Sequence, residues 1–271
     1  MQGATVYANT DDASRSALLE VLEAHFRGLA ACDRYKGSAA LVEPRLKRLA
    51  AGLSASQIRA LFGEELAHIN YPTFRTLFER IDWPLPLSIL ETGSSAHGTN
   101  SSALFAKVIA RFGGRFTTVD LNPMVSAHAR KILQAHGASD CAAVCDDSVR
   151  FISSATDRYN VVYLDSFDLL PGRFVDSERH GAAEFHGLIS RGLLQDGALI
   201  LVDDTPRSIE ILATQVDDAH LLAAREHVVQ HGRLPGKGAL IREQAAASES
   251  FEIVSWEYQL LLRYRAPTSR A

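Results

Sequence analysis

The chain has 271 residues, 46% of them apolar, and a formal net charge of -4. That apolar fraction supports a real hydrophobic core, while the acidic balance argues against general binding to nucleic acid or to anionic membranes. No apolar run approaches the roughly twenty residues of a membrane span, and the opening MQGATVYANTDD lacks the basic and apolar regions of a signal peptide. Three cysteines, Cys32, Cys141 and Cys145, do not make a disulfide framework, so a reduced, cytoplasmic setting is expected, with the cysteines as buried small apolar residues.

Residues 1 to about 84 read as a helical N-terminal segment. From Asp12 onward Leu18, Leu19, Val21, Leu22, Phe26 and Leu29 recur at helical spacing, after Asp11, Asp12 and Ser14 as caps. Further helices are predicted over 39–51, after Ser54 or Ser56, and from Tyr71 to Ile81, before Asp82-Trp83-Pro84-Leu85-Pro86 breaks the pattern. Nothing in the segment is chemically distinctive. Its expected role is a cap over a sheet edge, a homodimer surface or a lid over a substrate.

The stretch from Leu87 to Pro123 carries the first functional signal. Leu87, Ile89 and Leu90 lead to Glu91, and the small-residue loop Thr92-Gly93-Ser94-Ser95-Ala96-His97-Gly98 follows. A helix with Leu104, Phe105, Val108, Ile109 and Phe112 on one face comes next, stopped by Gly113-Gly114, and the apolar run Phe116 to Val119 ends in Asp120. This is a parallel βαβ unit. Glycine at position 93 suits close approach of a ligand to the backbone, and Asp120 is placed to accept hydrogen bonds from ribose hydroxyls, so an adenosine-containing ligand is expected. A dinucleotide fingerprint would need glycine where Ser95 stands, and a P-loop would need lysine where Thr99 stands. S-adenosylmethionine, which carries no phosphate, is the third reading, beside a glycine loop that serves only to reverse the chain. In Glu91-Thr92-Gly93 and the later Gly98 the loop resembles motif I of the class I methyltransferases, although His97 stands where small residues are commoner.

Beyond Asn122-Pro123 a helix with Ala127, Ala129, Ile132 and Leu133 is predicted, then a strand over Cys141 to Val144 and the run Asp146-Asp147-Ser148. The resemblance implies that the adenine ring lies here, with Asp147 and Ser148 as contacts and Asp146 as the runner-up. Plain capping of the next helix is the alternative. Tyr159 to Leu164 is the fourth strand and ends in Asp165-Ser166-Phe167-Asp168. A helix from about Ser177 to Leu194 carries His180, Glu184 and His186, which is not a zinc-enzyme spacing. Gln195-Asp196-Gly197 reads as a turn before the fifth strand, Ala198 to Val202, which ends in Asp203-Asp204.

Asp165, Asp203 and Asp204 thus fall at the same end of neighbouring strands. Carboxylates gathered without a counter-ion are unfavourable, and oxygen ligands of this kind suit Mg²⁺. Here the sequence resembles the metal-dependent O-methyltransferases of the catechol type and of natural-product sugars. Those place one aspartate after strand four, matched by Asp165, and an acidic pair after strand five, matched by Asp203-Asp204. The catechol type's catalytic lysine has no counterpart, because Asp168 stands in its place. Acidic residues after strands also occur in methyltransferases that use no metal.

From Pro206 to Ser250 the pattern is irregular and partly helical, with Gly236-Lys237-Gly238 as a flexible loop whose lysine is solvated by default and could instead reach the pocket. Phe251 to Val254 and Tyr258 to Leu262 read as a closing antiparallel hairpin, and 266–271 as a disordered tail. The expected fold is α/β: a Rossmann-like seven-stranded methyltransferase sheet over 85–265 with the helical segment in front. The resemblance implies methyl transfer from S-adenosylmethionine to a small-molecule hydroxyl with Mg²⁺ held by Asp165, Asp203 and Asp204. Glu91, Gly93 and Ser95 would hold the methionine end, Asp120 the ribose, Asp147 and Ser148 the adenine. Asp165, Asp168 and His180 are the expected catalytic residues, Asp168 or His180 taking the proton. The rivals are a metal-independent N- or O-methyltransferase and a non-catalytic S-adenosylmethionine-binding protein.

Overall fold

A computed structural model describes residues 12–30, 68–81, 87–94, 99–137 and 139–267. The helices expected over 39–51 and after Ser54, loop residues Ser95, Ala96, His97 and Gly98, Cys32, and 268–271 lie outside the described residues.

Two helices of the N-terminal segment are described, α1 (Asp12–Ala30) and α2 (Tyr71–Glu79). The alternation of βαβ units follows: β1 (Leu87–Thr92), α3 (Ser101–Phe112), β2 (Gly114–Asp120), α4 (Pro123–Ala135), β3 (Cys141–Cys145), α5 (Ser148–Ser154) and β4 (Tyr159–Leu164). Then come α6 (Phe174–Ser190), β5 (Leu194–Val202), the three helices α7 (Ile209–Ala213), α8 (Asp218–His231) and α9 (Ala239–Ala246), and the hairpin β6 (Phe251–Trp256) and β7 (Leu260–Tyr264). The sheet order is β3-β2-β1-β4-β5-β7-β6. The first five strands are parallel and β7 runs antiparallel to both β5 and β6. Strand order reverses between β1 and β4, the place where open sheets of this kind bind ligands beyond their carboxyl ends.

Strands β1 and β4 are buried along their whole length, as parallel strands covered on both faces must be. Successive side chains divide between two cores. Ile89, Val161, Tyr163, Leu199, Leu201 and Leu261 meet one apolar cluster, and Leu90, Val162, Leu164, Ile200, Val202 and Leu260 the other. The N-terminal helices belong to the first. Leu18, Leu22 and Phe26 of α1 and Phe74, Leu77 and Phe78 of α2 are buried within it, with Phe74 ring-to-ring against Tyr163 at 5.4 Å. Each such side chain contributes about 1.5–3 kcal/mol by leaving water. These helices therefore close one face of the sheet.

Two local expectations change. Gln195-Asp196-Gly197 does not turn the chain; β5 begins at Leu194 and runs through it, with Gly197 at φ +79 and a register shift opposite Tyr159 and Val161. Cys141 is half-buried and Cys145 exposed, both as free thiols, so they are not buried core residues.

Candidate active site

The carboxyl ends of β2, β1 and β4 are laced together. Gly93 N donates to Val119 O at 2.7 Å, and Asp165 N donates to Thr92 O at 2.8 Å. Gly93 adopts φ +80, and a Cβ there would lie 2.2 Å from Asp165 O. The strand neighbour, rather than an incoming ligand, thus imposes the glycine. Past this corner Ser94 N donates to Asp120 Oδ2 at 2.9 Å, and Asn122 N to Asp120 Oδ1 at 2.7 Å. These bonds hold the Asp120 carboxylate at the lip of the loop. Burial, opposed by those two amides, raises its pKa, and the charge of Asp168 adds to the rise. Just beyond, Leu121 and Met124 are 70% and 81% exposed, an apolar lip beside the Asp120 carboxylate.

Glu91 has a different role from the one expected. It is fully buried, and it accepts from Ser101 Oγ at 2.5 Å, Ser102 Oγ at 2.5 Å and Thr118 Oγ1 at 2.6 Å. Both oxygens are committed to the start of α3 and to β2. Burial pushes its pKa up to about 7 although three hydroxyl donors favour the ionised form. Glu91 thus ties the end of β1 to the start of α3 and to β2. Ser95 lies outside the described residues.

At the end of β3, Asp147 caps α5 by accepting from Arg150 N at 2.9 Å. Asp146 accepts from Asp147 N at 2.7 Å and from Arg150 Nε at 2.5 Å. Ser148 Oγ lies 3.0 Å from His180 Nε2, which is 3.5 Å from Glu184 Oε1. Glu184 raises the His180 pKa. The ring of Phe167 lies 5.5 Å from that of His180. His180 is thus part of the wall next to Ser148. Asp168 is exposed, and the carboxylate whose pKa it raises is Asp120; neither residue is joined to the acidic cluster by a hydrogen bond or ion pair among the described residues. The charge of Lys237 nevertheless reaches His180 and opposes the rise in its pKa.

That cluster is the chemical centre. Asp165 follows β4, and Asp203-Asp204 follow β5, with Asp203 N donating to Leu164 O at 3.0 Å and Asp204 at φ 43, a left-handed conformation uncommon for a residue with a side chain. The structure brings in a cation the sequence reading left in solvent by default. Lys237 is 2% exposed, and its Nζ is hydrogen-bonded to Asp165 Oδ1 and lies 3.2 Å from Asp204 Oδ2. Burial opposes its charge, but the carboxylates of Asp165, Asp204 and Asp203 win and raise its pKa, so the lysine is an ammonium. Burial in turn drives Asp165 upward against the pull of Lys237. Asp204 Oδ1 accepts from Tyr258 Oη at 2.6 Å. Asp203 Oδ1 accepts from Gln259 Nε2 at 2.8 Å and from Asn70 Nδ2 at 3.3 Å, and burial and Asp204 raise its pKa.

This arrangement does not fit the Mg²⁺ expected at Asp165, Asp203 and Asp204. The oxygens that would face the ion face an ammonium, and Asp203 is turned to two amides. A divalent cation would have to expel Lys237 or sit against its charge. Among the described residues no three His, Cys, Asp or Glu side chains are grouped to hold a metal. Sequence reasoning held Lys237 reaching the pocket only as the alternative to a solvated lysine, and missed Tyr258, Gln259, Asn70 and His220. The last, on α8, has a buried Nε2 without a hydrogen-bond partner, and the charge of Asp204 reaches it. The glycines flanking Lys237 were the one available signal; nothing in the spacing pointed to Asn70.

No protein-family model matches the sequence, and no curated protein matches it significantly. Solved structures do. The S-adenosylhomocysteine-bound methyltransferase PaMTH1 of Podospora anserina superposes with a TM-score of 0.50 at 11% identity, over 97% of this chain and 100% of the other. An O-methyltransferase from Bacillus cereus in complex with S-adenosylhomocysteine gives 0.45 at 16% identity over 83% and 91% of the two chains. TomG of Streptomyces achromogenes, an O-methyltransferase in complex with S-adenosylmethionine, gives 0.45 at 16% over 82% and 90%. With its seven strands, parallel but for the closing hairpin, and helices on both faces, the chain has the fold of the class I methyltransferases.

Proposed function

We infer that the protein transfers a methyl group from S-adenosylmethionine to a hydroxyl of a small molecule. One observation carries the reading: the corner at Gly93, where the donor would lie, and the acidic cluster share a wall, since the Cβ position of Gly93 is 2.2 Å from Asp165 O. Methyl transfer requires the attacking atom and the methyl carbon about 3–3.5 Å apart in line, which only adjoining donor and acceptor sites provide. The Podospora anserina neighbour is itself S-adenosylhomocysteine-bound.

When bound, the donor supplies an electrophilic methyl carbon on a sulfonium. Asp120 would accept from the ribose hydroxyls, Asp147 and Ser148 would flank the adenine, and Gly93 and Ser94 would line the methionine end. Asp165, whose side chain is 21% exposed, takes the hydroxyl proton through the oxygen that Lys237 leaves free. The acceptor oxygen would then take the methyl group, with the carbon–sulfur electron pair left on sulfur. The net charge of -4 favours a small acceptor over nucleic acid. An amine acceptor is the second reading, supported by three carboxylates around one lysine.

Calorimetric titration with S-adenosylhomocysteine tests the donor half, and absence of binding would sink the reading. Incubation with methyl-labelled donor and a panel of phenols, sugars and amines tests the other half. Label in a hydroxyl acceptor supports it, and label confined to amines replaces it with the second reading.

A further inference from the structure

The cluster of Asp165, Asp203 and Asp204 is built around a cation supplied by the chain. Lys237 sits between two glycines, and each glycine is needed. A Cβ at Gly236 would lie 2.8 Å from Asp204 O, and one at Gly238 would lie 2.6 Å from Thr205 Oγ1. On the other side Gly181 of α6 gives way as well, since its Cβ would lie 2.4 Å from Lys237 O. The segment is therefore pressed between α6 and the corner after β5. It is also bonded there: Lys237 N donates to Asp204 O at 3.1 Å, Gly238 N to Thr205 Oγ1 at 3.0 Å, and Thr205 Oγ1 to Asp203 O at 2.8 Å. A lysine serving only solubility requires none of this.

We propose that Lys237 is the resident cation of this site, standing where a divalent metal would otherwise act, so that methyl transfer here runs without metal. The neighbouring carboxylates of Asp165 and Asp204, with Asp203 behind them, repel one another, and an ammonium between the first two relieves the repulsion. An ammonium offers three N–H donors in a compact charge. Two go to Asp165 and Asp204, which leaves one for the acceptor oxygen. As the hydroxyl proton passes to Asp165, negative charge moves from that carboxylate to the acceptor oxygen. The lysine lies beside both, so its attraction follows the charge without any rearrangement. Tyr258 and Gln259 hold the outer oxygens of Asp204 and Asp203, as partners behind a ligand do.

This inference rests on the methyl-transfer reading, and its test separates the two. Wild type, Lys237→Ala and Lys237→Met are each titrated with Mn²⁺ alone, followed by calorimetry and by the paramagnetic signal of the free ion, and separately with S-adenosylhomocysteine. The expected result is no Mn²⁺ bound by wild type, one Mn²⁺ per chain in Lys237→Ala, and product affinity within about threefold across all three. Stoichiometric Mn²⁺ binding by wild type overturns the proposal, as does failure of a folded Lys237→Ala to take up any. If that variant does not fold, the wild-type titration and loss or retention of labelled-methyl transfer after EDTA dialysis decide: loss restored by Mg²⁺ overturns it. Absence of product binding by wild type would strike the methyl-transfer reading and leave the metal result standing by itself.

Discussion

His25 Nε2 donates to the backbone carbonyl of Thr99 at 2.8 Å, joining the middle of α1 to the residue that leads into α3 across 74 positions of the chain. Its other ring nitrogen faces Lys107 Nζ at 3.2 Å and accepts from it, so the imidazole is neutral with its proton on Nε2. The entry to α3 is thereby tied to the helical segment in front of it.

Burial, helped by Lys107 and opposed by the Thr99 carbonyl, lowers the His25 pKa to about 4. A histidine kept neutral by folding contributes stability that is present above its unfolded pKa and is lost as pH falls through 6.5 toward 4. Over that window the loss approaches about 3 kcal/mol. Urea unfolding of wild type and His25→Gln at pH 7, 6, 5 and 4.5 checks it. The wild type should lose stability faster on acidification, and parallel curves would contradict the assignment.

Glu91 acts in the opposite direction. Its pKa is raised from 4.5 to about 7, so the stability that comes with the protonated acid is full below 4.5 and is lost as pH rises through 7. Glu91→Gln keeps the shape without the charge. Relative to wild type, this variant should gain stability between pH 5 and pH 8, by up to about 3 kcal/mol. A stability difference that does not change with pH would mean that Glu91 is ionised throughout.

Gly93→Ala puts a methyl group 2.2 Å from Asp165 O at a residue with φ +80. Strain and overpacking together are expected to cost roughly 3 kcal/mol or more. Thermal unfolding should drop well below wild type, and S-adenosylhomocysteine binding should weaken even where the variant folds. A near-neutral substitution would show that the β1–β4 contact is looser than described.

Asp120→Asn removes charge from the oxygens that anchor Ser94 N and Asn122 N. Loss of charge-assisted hydrogen bonds to a ribose costs on the order of 1.5–3 kcal/mol, about tenfold to a hundredfold in affinity for S-adenosylhomocysteine. Equal affinity in calorimetry would remove Asp120 from the donor site. Asp203→Asn, away from the donor, should leave that affinity unchanged.

Much of the architecture was legible in the chain because its causes are local. A parallel strand buried on both faces is mostly apolar, as Leu87, Ile89 and Leu90 of β1 and Val161–Leu164 of β4 are, and the residue after it falls at the ligand-binding edge. Asp120, Asp165, Asp203 and Asp204 were therefore readable as strand-end acids, and Gly93 as a turn. What surrounds those acids was not readable. Lys237 meets Asp165 across 72 positions, and Asn70 reaches Asp203 across 133. Such pairings are made by backbones approaching within a missing Cβ, at Gly181, Gly236 and Gly238, and no periodicity records them. A cluster of carboxylates in sequence leaves its counter-ion open, metal or ammonium. That choice depends on which cation the fold buries, and desolvation at close range exists only once the chain has folded.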